Sequence, residues 1–245
     1  MVFYKKKINF HCNIYIYFYY KNNFIKIELK GCETISYKTK SVDLKMEQIS
    51  SSKRGYLELI LGPMWSGKTS TLLNYFRQFR FCKLNVCVLN YKADDRYSET
   101  MLSTHDKQMI PCIMGFSIEE IMRIPENAKK INESDVILIN EGQFFHDIVN
   151  FTKQMVEEQH KKVYICGLDG DFKREKIGKL LDLVPLSDNV TKLRALCGKC
   201  KDGTHAPFSF RNSSSTEQVL IGADDIYIPL CRRCYQAEVA KKDNE

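Results

Sequence analysis

The octapeptide Gly62-Pro63-Met64-Trp65-Ser66-Gly67-Lys68-Thr69 is the strongest indication of the fold in this 245-residue sequence. It matches the pattern G-x-x-x-x-G-K-[ST], in which the glycines let backbone N–H groups wrap phosphates and the lysine reaches the β and γ phosphates. An apolar run, Tyr56 to Leu61, precedes the motif, and an amphipathic stretch follows it. A glycine-rich turn before a helix is the alternative, but spacing and flanks together favour a nucleotide-binding phosphate loop in which Thr69 holds Mg²⁺.

Apolar runs and amphipathic stretches alternate along the chain beyond the motif. We predict strands at residues 56–61, 86–90, 135–140, 162–167 and 190–196, and helices at residues 67–81, 117–124 and 146–159. This alternation is typical of an α/β fold, here a P-loop parallel sheet flanked by helices. Gly, Ser, Asn and Pro dominate after Cys197, which predicts a separate small lobe. The predicted boundaries are a leader at 1–45, a linker at 46–54, the α/β domain at 55–196, the small lobe at 197–235 and a tail at 236–245.

The net charge of +7 is concentrated at the beginning of the chain. Residues 1–45 contain nine lysines and three acidic residues, so the other 200 residues together carry a net charge of only +1. Non-specific binding to nucleic acid depends on clustered Lys and Arg that release counterions from the phosphate backbone. The near-neutral body therefore argues against a nucleic-acid partner, and against the alternative that the small lobe after Cys197 is a zinc ribbon that binds nucleic acid.

The leader has a biased composition. Lys, Asn, Ile, Tyr and Phe, whose codons can be built from A and T alone, occupy 29 of its 45 positions. Its apolar run, Ile8 to Tyr20, has 13 residues, whereas a helix that spans a bilayer needs roughly 20. A signal peptide is also disfavoured, because polar residues interrupt the run and no small-residue cleavage site follows. We expect an upstream extension that is disordered or not native, with Met46 as the functional start, and no membrane partner.

A second element that a phosphate loop requires is predicted at Val136-Ile-Leu-Ile-Asn140-Glu141-Gly142-Gln143. An Asp is usual after the four apolar residues, but this chain has Asn140, whose amide oxygen accepts a hydrogen bond from Mg²⁺-bound water without adding charge. Glu141 is the candidate general base, since adjacent residues at a strand end face opposite sides. A solvated acidic loop is the alternative interpretation.

Two Cys-x-x-Cys pairs, Cys197 with Cys200 and Cys231 with Cys234, are separated by 30 residues. Four thiolates are typical of a closed tetrahedral Zn²⁺ site with a structural role. Four unrelated thiols are the alternative. The other six cysteines are scattered singly without a disulfide framework, which indicates a reduced, cytoplasmic chain. Four of these lie in or beside apolar runs and are interpreted as small buried apolar residues: Cys82, Cys87, Cys112 and Cys166.

Two polar segments follow the second predicted strand, Asp94-Asp95-Arg96-Tyr97 and Thr104-His105-Asp106. Composition alone favours a solvated charge cluster for the first and a network of loop hydrogen bonds for the second.

Taken together, these motifs resemble the type II thymidine kinases, the cellular and poxvirus-type family. The similarity extends from about Tyr56 to Tyr235 and includes Leu168-Asp-Gly-Asp-Phe172, Leu183-Val-Pro-Leu186 and Val190-Thr-Lys-Leu193 besides the segments above. The resemblance implies ATP-dependent phosphorylation of the thymidine 5′-hydroxyl to give dTMP, with Mg²⁺ accompanying ATP. It also implies a zinc-binding lasso lobe, a homotetramer and feedback inhibition by dTTP.

The resemblance also implies roles for particular residues. Glu141 matches the proton acceptor, and Lys68 and Arg96 complete the catalytic set. The expected ATP-binding residues are Gly62 to Thr69, Asp94, Asp95, Arg96, Asn140, Glu141, Gly142 and Gln143. The expected thymidine-binding residues are Phe172, which stacks on the base, Gln218, Val219, Leu220, Ile221 and Gly222, whose backbone reads thymine, and Tyr227, which covers the base. The functional role of Asp94 and Arg96 thus replaces the solvated cluster that composition alone favours.

The chain departs from the family pattern at several positions. Asn140 stands in place of the family's Asp, a loss of charge that we expect to cost about 10- to 100-fold in metal affinity or turnover. Residues 200–211 are two residues longer than in the family, Ile177 stands for a Phe near the thymine pocket, and Trp65 stands for a Phe in the phosphate loop. A catalytically weak nucleotide-binding pseudoenzyme is therefore the alternative, although the retained base and phosphate-loop residues favour an active kinase.

Overall fold

The computed structural model of the chain describes residues 5–7, 15–21, 24–29, 54–92, 101–103, 108–212, 217–218 and 226–242. The chain divides into two compact units, residues 1–50 and 51–245. In the first unit, strands β1 (Lys5–Lys7), β2 (Tyr15–Lys21) and β3 (Phe24–Leu29) pair as an antiparallel sheet. That residues 1–45 form a leader outside the enzyme stays a prediction.

The second unit is built on a six-stranded parallel sheet. The strands of this unit that precede the small lobe are β4 (Tyr56–Leu61), β5 (Val86–Tyr91), β6 (Met101–Ser103), β7 (Met109–Pro111), β8 (Ile113–Gly115), β9 (Val136–Ile139), β10 (Lys162–Gly167) and β11 (Asn189–Lys192). The sheet has the order β11-β4-β10-β9-β5-β8, and every neighbouring pair in it is parallel. Strands β6 and β7 form a separate antiparallel pair. The predicted α/β class and the predicted bounds of β4 and β10 are confirmed.

Helices connect the parallel strands. They are α1 (Lys68–Phe81), α2 (Ile118–Arg123), α3 (Pro125–Glu133) and α4 (Ile148–Lys153), which continues as a π-helix over Gln154–Glu158. Helix α2 begins where predicted, because the Ser117 hydroxyl accepts a hydrogen bond from the Glu120 N–H at 3.1 Å. Helix α3 was not predicted. None of the helices in the described ranges combines the length and the apolar composition that crossing a bilayer requires.

The sheet is covered on both faces, which explains why its strands read as nearly continuous apolar runs. Alternate residues of β4 separate into the two cores: Ile60 packs with Leu72 and Leu73 of α1, whereas Leu59 packs with residues of α4 such as Ile148. Each of these five side chains is at most 1% exposed. Burial of one such side chain contributes about 1.5–3 kcal/mol, so the two apolar cores hold the helices and the strand ends in place.

A small lobe follows the sheet and has its own core. It contains strands β12 (Ala195–Leu196), β13 (His205–Ala206), β14 (Phe208–Arg211) and β15 (Tyr227–Leu230), and helix α5 (Arg232–Lys242). Strand β12 pairs with β13, and β14 pairs with β15. The strand predicted at 190–196 is therefore divided. Its first part joins the parallel sheet as β11, and its second part belongs to the lobe.

Candidate active site

The phosphate loop joins β4 to α1 in a conformation that its glycines permit. Gly67 has a φ of 83°, in the left-handed region that favours glycine. At Gly62 the chain passes so close to Leu193, the residue after β11, that a Cβ atom would lie 2.8 Å from its carbonyl oxygen. Trp65 also has a positive φ, 65°, without the freedom of a glycine. The two glycines of the motif thus occupy positions at which a larger residue would be strained, at Gly67, or would clash, at Gly62.

Polar groups of this loop point inward. The Lys68 ammonium is buried and donates to the carbonyl oxygen of Pro63 at 2.7 Å. The Ser66 hydroxyl oxygen is also buried, and among the described residues it has no hydrogen-bond partner. An unsatisfied buried hydroxyl is costly, so a phosphate oxygen is a suitable partner for it. Together with the N-terminus of α1 at Lys68, the Lys68 ammonium and the Ser66 hydroxyl fit the phosphates of a nucleoside triphosphate.

Asn140 lies next to the loop, directly after β9. Its backbone N–H donates to the carbonyl oxygen of Leu89 in β5 at 2.9 Å, which extends the strand pairing by one residue. The Thr69 hydroxyl lies 3.4 Å from the Asn140 amide oxygen. A hydroxyl and an amide oxygen are ligands that Mg²⁺ accepts, directly or through water. The residues present therefore fit a magnesium ion, although they supply less negative charge than an aspartate would.

Glu141 follows in a left-handed conformation, with φ 53° and ψ 41°. Its carboxylate oxygen Oε2 accepts a hydrogen bond from Gln143 Nε2 at 2.6 Å. The buried Gln143 amide is itself fixed, because its Oε1 accepts from the backbone N–H of Leu168, just after β10, at 3.0 Å. Gly142 begins the 3₁₀-helix Gly142–Phe144. The carboxylate is half-buried and held in one orientation, as a general base requires.

The predicted base-binding residues that the structure describes lie where the sheet meets the lobe. The Tyr235 hydroxyl donates to the carbonyl oxygen of Phe172 at 2.5 Å. The guanidinium carbon of Arg211 lies 3.5 Å from the centroid of the Phe172 ring. The same guanidinium donates to the Tyr227 hydroxyl at 3.4 Å. Arg211 is wholly buried, so it connects the two aromatic residues that the resemblance assigns to the thymine pocket.

Gln218 is placed beside the same pocket. Its side-chain Nε2 donates to Asp171 Oδ2 at 3.0 Å and to the carbonyl oxygen of Lys176 at 3.1 Å. Ile177, the residue that departs from the family's Phe, is 6% exposed and packs within the body. The other predicted residues of the base-reading loop, Val219 to Gly222, lie outside the described residues, as do Asp94, Asp95 and Arg96.

Nothing in the sequence indicates that Arg211 and Ser209 belong to this site. The Ser209 hydroxyl accepts a hydrogen bond from the backbone N–H of Met64 at 3.0 Å, which joins β14 to the phosphate loop. These contacts connect residues far apart in the chain, and neither residue lies in a motif. No local signal in the sequence marks them.

The four predicted zinc ligands converge. The Sγ atoms of Cys197, Cys200, Cys231 and Cys234 all lie within 4.8 Å of one another. Cys200 Sγ is 3.5 Å from Cys234 Sγ and 3.8 Å from Cys231 Sγ. Thiolates on a tetrahedral Zn²⁺, with Zn–S distances of about 2.3 Å, lie about 3.8 Å apart, so the cluster fits that ion. No disulfide involves any described cysteine.

Hydrogen bonds within the cluster shift the pKa values of its thiols in opposite directions. Burial opposes ionisation of Cys197, but hydrogen bonds from the backbone N–H groups of Cys200, Cys231 and Lys199 lower the pKa of its thiol to about 6. Hydrogen bonding with Cys200 and Cys231 raises the pKa of the Cys234 thiol to about 12. A bound metal ion would deprotonate all four thiols.

The single cysteines differ from the prediction in one case. Cys87 and Cys166 are buried, and Cys112 is half-buried, as small apolar residues would be. Cys82 is exposed, because it lies at the C-terminal cap of α1, where its backbone N–H donates to carbonyl groups of the last turn.

The comparisons with known proteins agree with the motifs. The family model for thymidine kinase matches residues 55–235. The thymidine kinase of Monkeypox virus is 39% identical over 181 residues, which cover 74% of this chain and 97% of the relative. Thymidine kinase a of Arabidopsis thaliana is 36% identical over 203 residues, which cover 81% of this chain and 83% of the relative. The enzyme of Vaccinia virus strain Ankara is 39% identical over 181 residues. The resemblance is thus confirmed, and the chain belongs to the thymidine kinase family of phosphotransferases.

Proposed function

We propose that this chain transfers the γ-phosphate of ATP to the 5′-hydroxyl of thymidine and releases dTMP. The observation that carries the proposal is that the Thr69 hydroxyl lies 3.4 Å from the amide oxygen of Asn140, the residue directly before Glu141. Phosphoryl transfer needs phosphate-binding donors, a cation and a base at one place. The carboxyl ends of β4 and β9 provide that place.

ATP would bind with its phosphates against the backbone N–H groups of residues 62–69 and against the Lys68 ammonium. A Mg²⁺ ion held by Thr69 and Asn140 would neutralise charge on the β and γ phosphates. Lys68 must leave the Pro63 carbonyl to reach a phosphate, a movement that its long side chain permits. We propose that Asp94, Asp95 and Arg96 complete the ATP site and that Arg96 stabilises charge that develops on the transferred phosphoryl group.

Glu141 would act as the general base. Gln143 holds carboxylate oxygen Oε2, which orients the other oxygen for the thymidine 5′-hydroxyl. As the O5′–P bond forms, the hydroxyl proton passes to the Glu141 carboxylate, and the bond between the γ phosphorus and the β–γ bridging oxygen breaks. ADP and dTMP are the products, and the proton on Glu141 is released to water.

Thymidine would bind between the body and the lobe. We propose that the Phe172 ring stacks on the base, that backbone groups of residues 218–222 read its polar edge and that Tyr227 covers it. The buried Arg211 supports this arrangement, because it contacts the Phe172 ring and donates to Tyr227. Backbone readout of thymine also explains how side chains in the loop differ without loss of recognition.

We propose further that the four-cysteine cluster holds a structural Zn²⁺ and that residues 197–235 act as a lasso lobe on the kinase domain, residues 55–196. We extend the proposal to a homotetramer, to feedback binding of dTTP and to a cytoplasmic location without a nucleic-acid partner. The described cysteines form no disulfide, which supports a reducing compartment. The predicted alternative, a catalytically weak nucleotide-binding pseudoenzyme, has no support beyond Asn140 itself.

The direct test is a kinase assay on the full chain. We expect dTMP to form from thymidine and Mg-ATP, and we expect Glu141→Gln to lower kcat by about 10²- to 10⁴-fold, since the amide cannot accept the proton. Glu119→Gln, at an exposed position of α2, is the matched control and should leave kcat unchanged. A wild-type chain that binds dTTP but forms no dTMP would show the pseudoenzyme instead.

A further inference from the structure

We propose that Asn90 is a positioning residue that fixes the amide of Asn140 with its oxygen toward Thr69. Asn140 Nδ2 donates to Asn90 Oδ1 at 2.8 Å, and both residues are 1% exposed. The inference rests on the proposed function, because it assumes that Asn140 faces the Mg²⁺ that accompanies ATP. It adds that the position of the cation ligand depends on a second amide that no motif identifies.

The sheet register brings the two amides together. Strands β5 and β9 are parallel neighbours, in which Leu89 is paired with Ile139. Asn90 and Asn140 therefore occupy the next position on adjacent strands, and their side chains leave the sheet on the same side. On the opposite flank, Cys166 of β10 donates its Sγ–H to Asn140 Oδ1 at 3.0 Å. The Asn140 amide thus spans three neighbouring strands.

These contacts select one orientation of the Asn140 amide. Its oxygen has two donors nearby, the Cys166 thiol and the Thr69 hydroxyl, and its nitrogen has the Asn90 oxygen as an acceptor. Rotation of the amide by 180° would place its oxygen against Asn90 Oδ1, and two buried acceptors would then oppose each other. It would also turn the amide N–H₂ group toward Thr69.

The orientation matters because Asn140 is not an aspartate. A carboxylate presents an acceptor at both ends and serves a cation in either orientation, whereas an amide presents one acceptor and one donor. An N–H₂ group aimed at Mg²⁺ would repel it, so an asparagine at this position needs a partner that fixes its rotation. Asn90 can be that partner, because its own Nδ2 lies 3.4 Å from Met114 Sδ and its oxygen is therefore directed at Asn140.

A double-mutant cycle on the full chain tests the proposal. The four proteins are wild type, Asn90→Leu, Asn140→Asp and the double variant. The probe is Mn²⁺, whose affinity is measured by electron paramagnetic resonance in the presence of a non-hydrolysable ATP analogue. We expect Asn90→Leu to lower Mn²⁺ affinity by about 10-fold in the wild-type background, by analogy with other residues that form hydrogen bonds to metal ligands. In the Asn140→Asp background we expect less than about a 2-fold loss, since a carboxylate has no donor end to misplace.

Further variants separate positioning from a general loss of structure. Asn90→Asp keeps an acceptor for Asn140 Nδ2 and should keep Mn²⁺ affinity at the wild-type level or above it. If Asn90→Leu does not fold, Asn90→Ala takes its place in the same cycle. Equal losses of Mn²⁺ affinity in both backgrounds, or no loss in either, would overturn the proposal while wild type still binds Mn²⁺ and forms dTMP. A wild-type chain that does neither would overturn the proposed function, and this inference with it.

Discussion

The parallel sheet and the small lobe are held together by different forces. The sheet buries apolar side chains on both faces, and many of its residues, such as Leu59, Ile60 and Ile137, are fully buried. Among the described residues, the core of the lobe contains seven buried residues, two of which are the cysteines Cys197 and Cys231. Small domains with so few buried apolar side chains need a metal ion or a disulfide to fold. The difference predicts that the sheet is stable by itself and that the lobe needs the Zn²⁺ proposed for its four cysteines.

Metal removal should separate the two regions most clearly. Structural Zn²⁺ contributes about 10–16 kcal/mol to the folding of small zinc domains. We expect chelation, or Cys231→Ser, to unfold residues 197–235 and to abolish measurable thymidine phosphorylation. The sheet should keep its circular dichroism signal and a cooperative thermal transition. Limited proteolysis followed by mass spectrometry locates the unfolded segment, and Cys82→Ser, at an exposed thiol outside the cluster, is the control. An active, protease-resistant lobe in protein shown to lack zinc would contradict this prediction.

A cavity in the sheet core should instead weaken the whole second unit. Leu59→Ala removes a fully buried side chain from β4, and such changes cost about 2–5 kcal/mol of unfolding free energy. Urea unfolding followed by fluorescence and circular dichroism gives that value, and zinc content should stay unchanged. The control is Phe81→Ala, whose side chain is 88% exposed and whose loss should cost less than about 0.5 kcal/mol. Equal effects of the two substitutions would show that β4 is not part of the core.

Of these substitutions, we expect the smallest change in free energy from one at the contact between the parallel sheet and the small lobe. Arg211→Met removes the guanidinium that packs on the Phe172 ring and donates to Tyr227. A desolvated cation–π contact is worth about 2 kcal/mol, so the KM for thymidine should rise by about 10-fold or more while the KM for ATP stays within about 2-fold. Steady-state kinetics with each substrate varied give both values. Arg232→Met is the matched control, because Arg232 is exposed and lies 4.9 Å from the Phe208 ring. A parallel rise in both KM values would argue against a role at the base.

Local signals in the sequence account for much of the fold. The phosphate-loop motif, the apolar runs of β4 and β10 and the Cys-x-x-Cys spacing predicted the parallel sheet and the cysteine cluster, and the family that the motifs resemble is confirmed. Helix α3 was missed because Ile131 is its one buried residue, so the segment has no apolar periodicity. Pro125 at its first position was the available signal.

The candidate site was predictable only where its residues form motifs. The roles of Lys68, Glu141 and the base-binding residues stay predictions. The structure places Lys68 and Glu141 at the carboxyl ends of β4 and β9, and it places the described base-binding residues where the sheet meets the lobe. Arg211 and Asn90 could not be found in the sequence, because their importance depends on partners that other strands supply. The division of the predicted strand at residues 190–196 has the same origin. Ala195 pairs with Ala206 of β13, and a local apolar pattern does not show which strand will be the partner.

The hydrogen bond between Met64 and Ser209 has a consequence for the order of folding. It joins residues that are 145 positions apart, so Met64 gains this partner only once β14 lies against the phosphate loop. During synthesis, Ser209 emerges after every strand of the parallel sheet. We therefore expect the phosphate loop to be completed after the strands on either side of it have been made.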